Sequence, residues 1–247
     1  MKYLILLPVV LMPWLLASQT TEGEITFTET VQMRIELDDV DNNDEIRKML
    51  PTSRSAASTL FFNENQSLYK NKDNADNETG GSHQQDGMQM EFKIMRPENR
   101  IYRDLESGRT VESREFMGRF FLIDEEAPRK SWKLSSEQKT ILGYPCQKAL
   151  LQDTSRKVEA WFTAQIPVSV GPGEFSDLPG MILEISAGER TMIATQIELK
   201  ALPKDAIEIP SKGKSVSRAE FKQIVDEKMK EMGAEGGGGN VRMIIRN

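Results

Sequence analysis

Between Ile25 and Leu37 the chain alternates. The odd positions Ile25, Phe27, Val31, Met33, Ile35 and Leu37 are apolar, Glu29 is the one exception, and the even positions from Thr26 to Glu36 are all polar. A period of two over this length predicts one strand with a single buried face, about 40 Å long at roughly 3.3 Å per residue. Glu29 falls on the buried face, so the strand bulges or leaves the core there. Shorter apolar runs follow. Asn43 to Leu50 has the spacing and cap of a short helix ended by Pro51. Ser58–Phe62 and Ser67–Lys70 form a hairpin across Asn63 to Gln66. Asn71 to Gly87 is nearly free of apolar residues and reads as a polar loop.

Beyond it, strands are expected at Met88–Met95, Ile101–Leu105, Thr110–Phe116, Arg119–Ile123, Trp132–Leu134, Ile141–Leu151, Val158–Thr163, Met181–Ile185 and Thr191–Leu199. Strands this short, separated by turn residues, indicate antiparallel pairing. Lys200 to Lys214, with two prolines, is an extended connector. Ser217-Arg218-Ala219-Glu220 is a capping box, in which serine and glutamate satisfy free backbone N–H groups at a helix start. Phe221, Ile224, Val225, Met229 and Met232 then fall at helical spacing over residues 218–232, with Gly233 as the C-terminal cap. Val241 to Ile245 is a small final strand or a tail. The expected fold is mainly β: a large curved antiparallel sheet or half-barrel with a C-terminal helix. It divides into residues 1–18, a β domain over 19–200, and a connector, helix and tail over 201–247.

The first 18 residues change the picture of where the protein works. Lys2, the apolar run Leu4 to Ala17 broken by Pro8 and Pro13, and small residues at Ala17-Ser18 read as a cleaved signal peptide. The run is too short for a spanning helix, which needs about 20 apolar residues. Cys146 is the one cysteine, so no lipid anchor is expected at the cleavage site and no internal disulfide. The expected location is the periplasm or outside the cell, with no membrane span after cleavage. With 32 basic and 38 acidic residues and no basic cluster, nucleic acid is excluded as a partner.

Candidate chemistry is thin. His83 is the one histidine and lies in the polar loop, which cannot hold an imidazole for a catalytic triad or a zinc site. Cys146 has Lys148 two residues away, as a nucleophile would want, but a small buried strand residue is the plainer reading. Asp124-Glu125-Glu126 is the densest carboxylate run and reads as a solvated turn. Met88 with Met90, and Met229 with Met232, have spacings that suit Cu(I), and suit core packing better. No metal, cofactor or catalytic residue is assigned.

Residues 161–185 are the most unusual stretch. Three prolines and three glycines fix an irregular path between two strands, and Leu178-Pro179-Gly180 suits a turn in which glycine takes a positive φ. The motif Asp177-Leu178-Pro179-Gly180-Met181-Ile182 resembles the signature of the GLPGLI (Porph_ging) family, exported Bacteroidetes proteins of unknown function. Ile141 to Ala149, Ala160 to Thr163, Ile166-Pro167-Val168, Gly171-Pro172 and Ile209 to Lys214 fit the same pattern. That resemblance implies proximity to TonB-dependent outer-membrane receptors, and a sheet like the bowl-shaped domain attached to some bacterial N-glycanases. It supplies no catalytic residues. The leading expectation is therefore a non-enzymatic envelope binding or accessory protein. Its contacts to an outer-membrane receptor, another envelope protein, or a small apolar or peptide ligand would come from Trp161, Ile166, Pro167, Phe175, Leu178, Pro179 and Gly180. The alternative is a hydrolase acting on glycan or peptide through paired carboxylates, one of them desolvated.

Overall fold

The computed structural model describes residues 21–32, 34–37, 53–71, 78–85, 88–95, 97–152, 157–235 and 241–244. The leader and the Asn43–Leu50 helix lie outside them. Twelve strands form one open sheet, antiparallel apart from its last pair. In chain order these are β1 (Gly23–Gln32), β3 (Ser53–Phe62), β4 (Gln66–Asn71), β7 (Asn99–Asp104), β8 (Arg109–Phe116), β9 (Arg119–Glu126), β10 (Trp132–Ile141), β11 (Tyr144–Leu151), β12 (Val158–Thr163), β13 (Met181–Ala187), β14 (Arg190–Leu199) and β15 (Lys214–Ser215). Across the sheet they run β10-β11-β12-β13-β14-β1-β3-β4-β7-β8-β9-β15. Two further pairs stand apart: β2 (Arg34–Leu37) with β16 (Val241–Ile244), and β5 (Glu78–Gln85) with β6 (Met88–Met95). The helix, α1, spans Arg218–Glu235. The architecture is the mainly β one expected from the alternation, with a single C-terminal helix among the described residues.

Several local expectations are corrected. The alternating run is two strands, β1 and β2, and β2 pairs with β16 rather than with the large sheet. The bulge expected near Glu29 lies two residues earlier, where the pairing of β1 with β14 shifts between Thr26 and Phe27. The polar stretch 71–87 contains strand β5, held by backbone pairing to β6 and so invisible to a pattern of apolar residues. Ile141–Leu151 is broken by a tight turn at Leu142-Gly143, both at positive φ, so that β10 and β11 form a hairpin. Asp124, Glu125 and Glu126 continue β9 instead of turning. The helix runs through Gly233 instead of stopping there. The capping box forms as expected: the Glu220 N–H donates to Ser217 Oγ at 3.2 Å, and Glu220 Oε2 accepts from the Ser217 N–H at 2.7 Å.

Registers place Ile25 and Phe27, Leu60 and Phe62, Tyr69, Ile101 and Ile123 on one face of the sheet, all buried. Residues 164–180, between β12 and β13, cross that face as a strap. Its first half buries Ile166, Val168 and Val170 against Ile25, Phe27, Leu60 and Tyr69. Its second half buries Phe175 and Leu178 with Val158, Phe162, Ile182, Ile185 and Met192. A buried irregular segment must satisfy its own backbone. Here Met181 N–H donates to Ile166 O and Ile182 N–H to Val170 O, both at 2.9 Å, while Gly180 N–H donates to Leu178 O at 2.7 Å.

Gly180 is required twice over. Its φ is 147°, and a Cβ there would lie 2.1 Å from the Thr163 carbonyl oxygen. Gly143 also has positive φ but faces open space. Gly143→Ala should therefore cost only the backbone strain, about 1 kcal/mol. Gly180→Ala should cost several times more, because backbone must also move. Urea unfolding of the two variants measures the difference, and equal losses would contradict the close approach.

Candidate functional site

Ser176 is where the strap is tied. Its hydroxyl accepts a short hydrogen bond from Arg103 Nη1, and its carbonyl accepts from Trp132 Nε1 at 2.8 Å. Arg103 Nη2 also donates to the Glu174 carbonyl at 3.2 Å. Arg103 belongs to β7 and Trp132 to β10, eight strand steps apart in the sheet order. A flat sheet would separate them by about 38 Å at roughly 4.8 Å per step. Both reach one serine, so the sheet wraps toward the face the strap crosses.

Around this tie lies a basin of charged groups. Asp177, in a left-handed conformation at φ 71°, accepts at Oδ2 from the Ser176 hydroxyl (2.9 Å) and from the Lys130 backbone N–H (3.0 Å). Glu112 on β8 is buried, pairing with Arg114 Nε at 2.6 Å and with Arg218 Nη2 at 2.7 Å. Burial works to raise Glu112, yet Arg114 and Arg218 overcome it and hold the carboxyl below its ordinary range. Arg218 Nε also pairs with Glu125 at 2.6 Å, which fixes the first turn of α1 over the sheet. Phe221 completes that contact, with its ring 5.4 Å from Phe121 and 6.4 Å from Phe116. On the other side Arg190 pairs with Glu29 at 2.7 Å and with Glu174 at 3.9 Å. Burial lowers the pKa of both Arg103 and Lys130. Lys130 Nζ sits 5.9 Å from the centre of the Phe175 ring, and Phe175 is tilted against Trp132 at 6.5 Å.

The residues singled out in the sequence fall in different places. Ile166, Phe175 and Leu178 bury their side chains in the core and Gly180 packs against the Thr163 backbone, so these four pin the strap. Pro167 and Pro179 are exposed. Trp161 is half-buried between two lysines, Lys139 at 4.4 Å and Lys148 at 5.8 Å from its ring centre. Glu29, the break in the apolar stripe, is the ion-paired partner of Arg190. Asp124 is held in a two-bond fork by Arg109, both bonds 2.8 Å, and is no free turn carboxylate. Cys146 is buried, its thiol 3.4 Å from the Tyr144 carbonyl and its pKa pushed up to about 11 by desolvation, which removes it as a nucleophile. His83 is on β5 rather than in a loop. Met88 and Met90 lie on β6, with side chains outside the described residues, and Met229 is exposed rather than packed. Among the described residues no group of acidic, histidine or cysteine side chains is placed to hold a metal. No described helix is long and apolar enough to cross a membrane.

The basin itself was missed. Arg103, Glu112, Lys130 and Arg218 carry no motif. Arg103 and Glu112 lie in strands of mixed composition, Lys130 in the link before β10 and Arg218 at the start of α1, so no periodic pattern flags them.

Comparison with known proteins bears on this segment. The sequence model of the family "N-glycanase peptide, N-terminal domain" matches residues 92–222, which contain the basin residues Arg103, Glu112, Lys130, Glu174, Asp177 and Arg218. The structure of PNGF-II in space group P21 is similar with a TM-score of 0.52 and 15% identity, over 83% of this chain and 33% of that one. Its C2 form gives 0.49 and 14%, over 81% and 33%. This chain thus spans about a third of the length of those structures. No curated protein matches. Two expectations are corrected. The matching family is not the GLPGLI family. The reading as a non-enzymatic envelope accessory also gives way, since the matching family is named for a domain of a glycan-cleaving enzyme.

Glu112 supplies a test of the basin's electrostatics. Its folded pKa is depressed, so its contribution is present at neutral pH and is lost as pH falls through the carboxylate range. Glu112→Gln leaves Arg114 and Arg218 without their buried partner. It should cost up to about 3 kcal/mol, the low end for breaking a buried pair because Arg218 is 40% exposed. Stability measured by urea unfolding should fall between pH 7 and pH 3 less steeply in the variant than in the wild type. Parallel curves would show that Glu112 is not held ionised.

Proposed function

Because the chain belongs to the family of the N-glycanase N-terminal domain, we propose that it acts in the cleavage of N-linked glycans, with the basin contacting the substrate. The observation that carries this reading is that the family match covers the segment from which the basin is built. The family match favours the hydrolase alternative over the non-enzymatic reading. Protonation of a leaving group needs a carboxylic acid whose pKa is raised. Glu112 is desolvated but lowered, so it stays a carboxylate and cannot be that acid. Its role is structural and electrostatic: it holds Arg218 and Arg114 in place around the tie at Ser176. What the basin offers a glycan is fixed charge and hydrogen-bonding capacity on a rigid sheet, which orients a substrate without moving the protein. The half-buried Trp132, packed on Phe175, adds aromatic surface beside it. We place the activity outside the cytoplasm, a reading supported by the apolar leader pattern from Leu4 to Ala17.

The protein incubated with a denatured N-glycosylated protein is expected to release oligosaccharide, seen as a gel shift and as free glycan by mass spectrometry. It should also bind the glycosylated form in preference to the same protein stripped of glycan. Neither release nor preference would overturn the proposal.

A further inference from the structure

Among the described residues, the charged and aromatic contacts of α1 to the sheet are confined to Arg218 and Phe221. Arg218 reaches Glu112 at 2.7 Å and Glu125 at 2.6 Å. One turn on, Phe221 sits between Phe116 and Phe121, with the Arg114 guanidinium 6.0 Å from its ring centre. After Phe221 the character changes. Ile224 and Val225 are half-buried, and every residue from Asp226 to Glu231 is exposed. The polar contacts there are internal to the helix: Lys222 pairs with Asp226, Gln223 with Glu227 and Lys228 with Glu231. Pairs three and four residues apart, together with the Ser217–Glu220 capping box, support a helix without help from the sheet.

The far end is tethered separately. Beyond α1 the chain returns as β16, which pairs antiparallel with β2, Val241 opposite Leu37 and Ile244 opposite Arg34. β2 begins two residues after β1 ends, and β1 lies five steps from β9 in the sheet order. Five steps span at most about 24 Å, at roughly 4.8 Å each. The 18 residues of α1 span about 27 Å, at roughly 1.5 Å per residue. The helix is therefore long enough to lie as a bar from the β9 edge across to β1. Four antiparallel steps separate β1 from β8, so the two strands run the same way and Gln32 and Phe116 end at one rim.

The surface under Arg218 is polar. Thr110 and Glu112 are two apart on β8 and Glu125 is directly opposite Thr110, so the three share one face. The pKa of Arg103 and of Lys130, lowered first by burial, is lowered further by Arg218, which sets this end of α1 inside the basin. When Arg218 leaves, Glu112 keeps Arg114 at 2.6 Å, and the released carboxylates and guanidinium exchange their pairing for hydration. The apolar surface uncovered is chiefly that of the Phe221 ring and its two aromatic neighbours.

We infer that α1 is a lid on the basin, latched at its N-terminal end by Arg218 between Glu112 and Glu125 and hinged at its far end on the β2–β16 pair. Closed, it covers the buried Glu112 carboxylate. Open, the end carrying Arg218 swings off the sheet as an intact helix and uncovers the floor over β8. That the opening admits a substrate rests on the reading of the basin as a glycan-contacting site; the motion itself does not.

Double electron–electron resonance between spin labels at Lys222→Cys and Gln196→Cys reads the position of α1 against β14. Cys146 is buried with its thiol pKa pushed up to about 11 by desolvation, so it takes no label. At low salt the labelled protein should give one dominant distance. Arg218→Met should move most of the population to a second distance, and Glu125→Gln, which leaves Glu112 paired, a smaller share. Salt at about 1 M, where the screening length falls to about 3 Å, should populate the same second distance with the latch residues unchanged. Helix content by circular dichroism should stay constant throughout. A distance unmoved in both variants and in salt, or loss of the helix signal in place of a second distance, would overturn the lid. No glycan enters the measurement, so the lid and the glycan-cleaving function fail separately.

Discussion

One serine on the strap takes hydrogen bonds from two strands that stand far apart in the sheet order. The constraint is geometric: Ser176 can accept from both Arg103 and Trp132 only if the sheet bends around it. Most of the site follows from that bend. The strap's first half fills the space over β1, β3 and β4, and its second half packs near β11 to β14. The apolar contacts supply the drive for closure, at about 25 cal/mol per Å² of apolar surface removed from water. The polar tie specifies where closure stops. Buried polar groups tolerate only a satisfied arrangement, so the strap has one seating rather than many.

The charges around the tie divide into two kinds. Glu112, Arg114, Arg218 and Glu125 form a closed set that seats the helix, reinforced by the Phe221 ring between Phe116 and Phe121. Such a set contributes little net stability, since desolvation offsets much of the attraction, but losing one member is costly. Arg103 and Lys130 stand half-buried beside the tie: Arg103 donates to the Ser176 hydroxyl and the Glu174 carbonyl, and Lys130 lies over the Phe175 ring.

Much of the fold was legible in the sequence because it depends on local patterns. Alternation marked β1, turn residues marked the hairpin at Asn63–Gln66, and the serine–glutamate pair marked the start of α1. Leu178-Pro179-Gly180 marked the turn in the strap, while Glu29, read as a point where the strand bulges or leaves the core, is held there by Arg190. The failures share a cause. The strand over Glu78–Gln85 is made by backbone pairing to β6, and the split of Ile141–Leu151 depends on Leu142 accepting a positive φ. Asp124 and Glu125 look like a solvated turn until Arg109 and Arg218 arrive from elsewhere in the chain. Of the apolar strap residues singled out in the sequence, Ile166, Phe175 and Leu178 are spent on the core, which an apolar, irregular stretch does not reveal by itself. The basin joins residues up to 115 positions apart, from Arg103 to Arg218, and such contacts leave no periodic trace.

The central claim is that the Arg103–Ser176–Trp132 tie holds the sheet closed and so builds the basin. Hydrogen exchange read by mass spectrometry in an Arg103→Leu variant tests it most directly. The account predicts faster exchange along residues 166–182 together with faster exchange in β10, eight strand steps from the substitution, while the β1–β3 pair stays protected. Exchange that quickens only beside position 103 would contradict it.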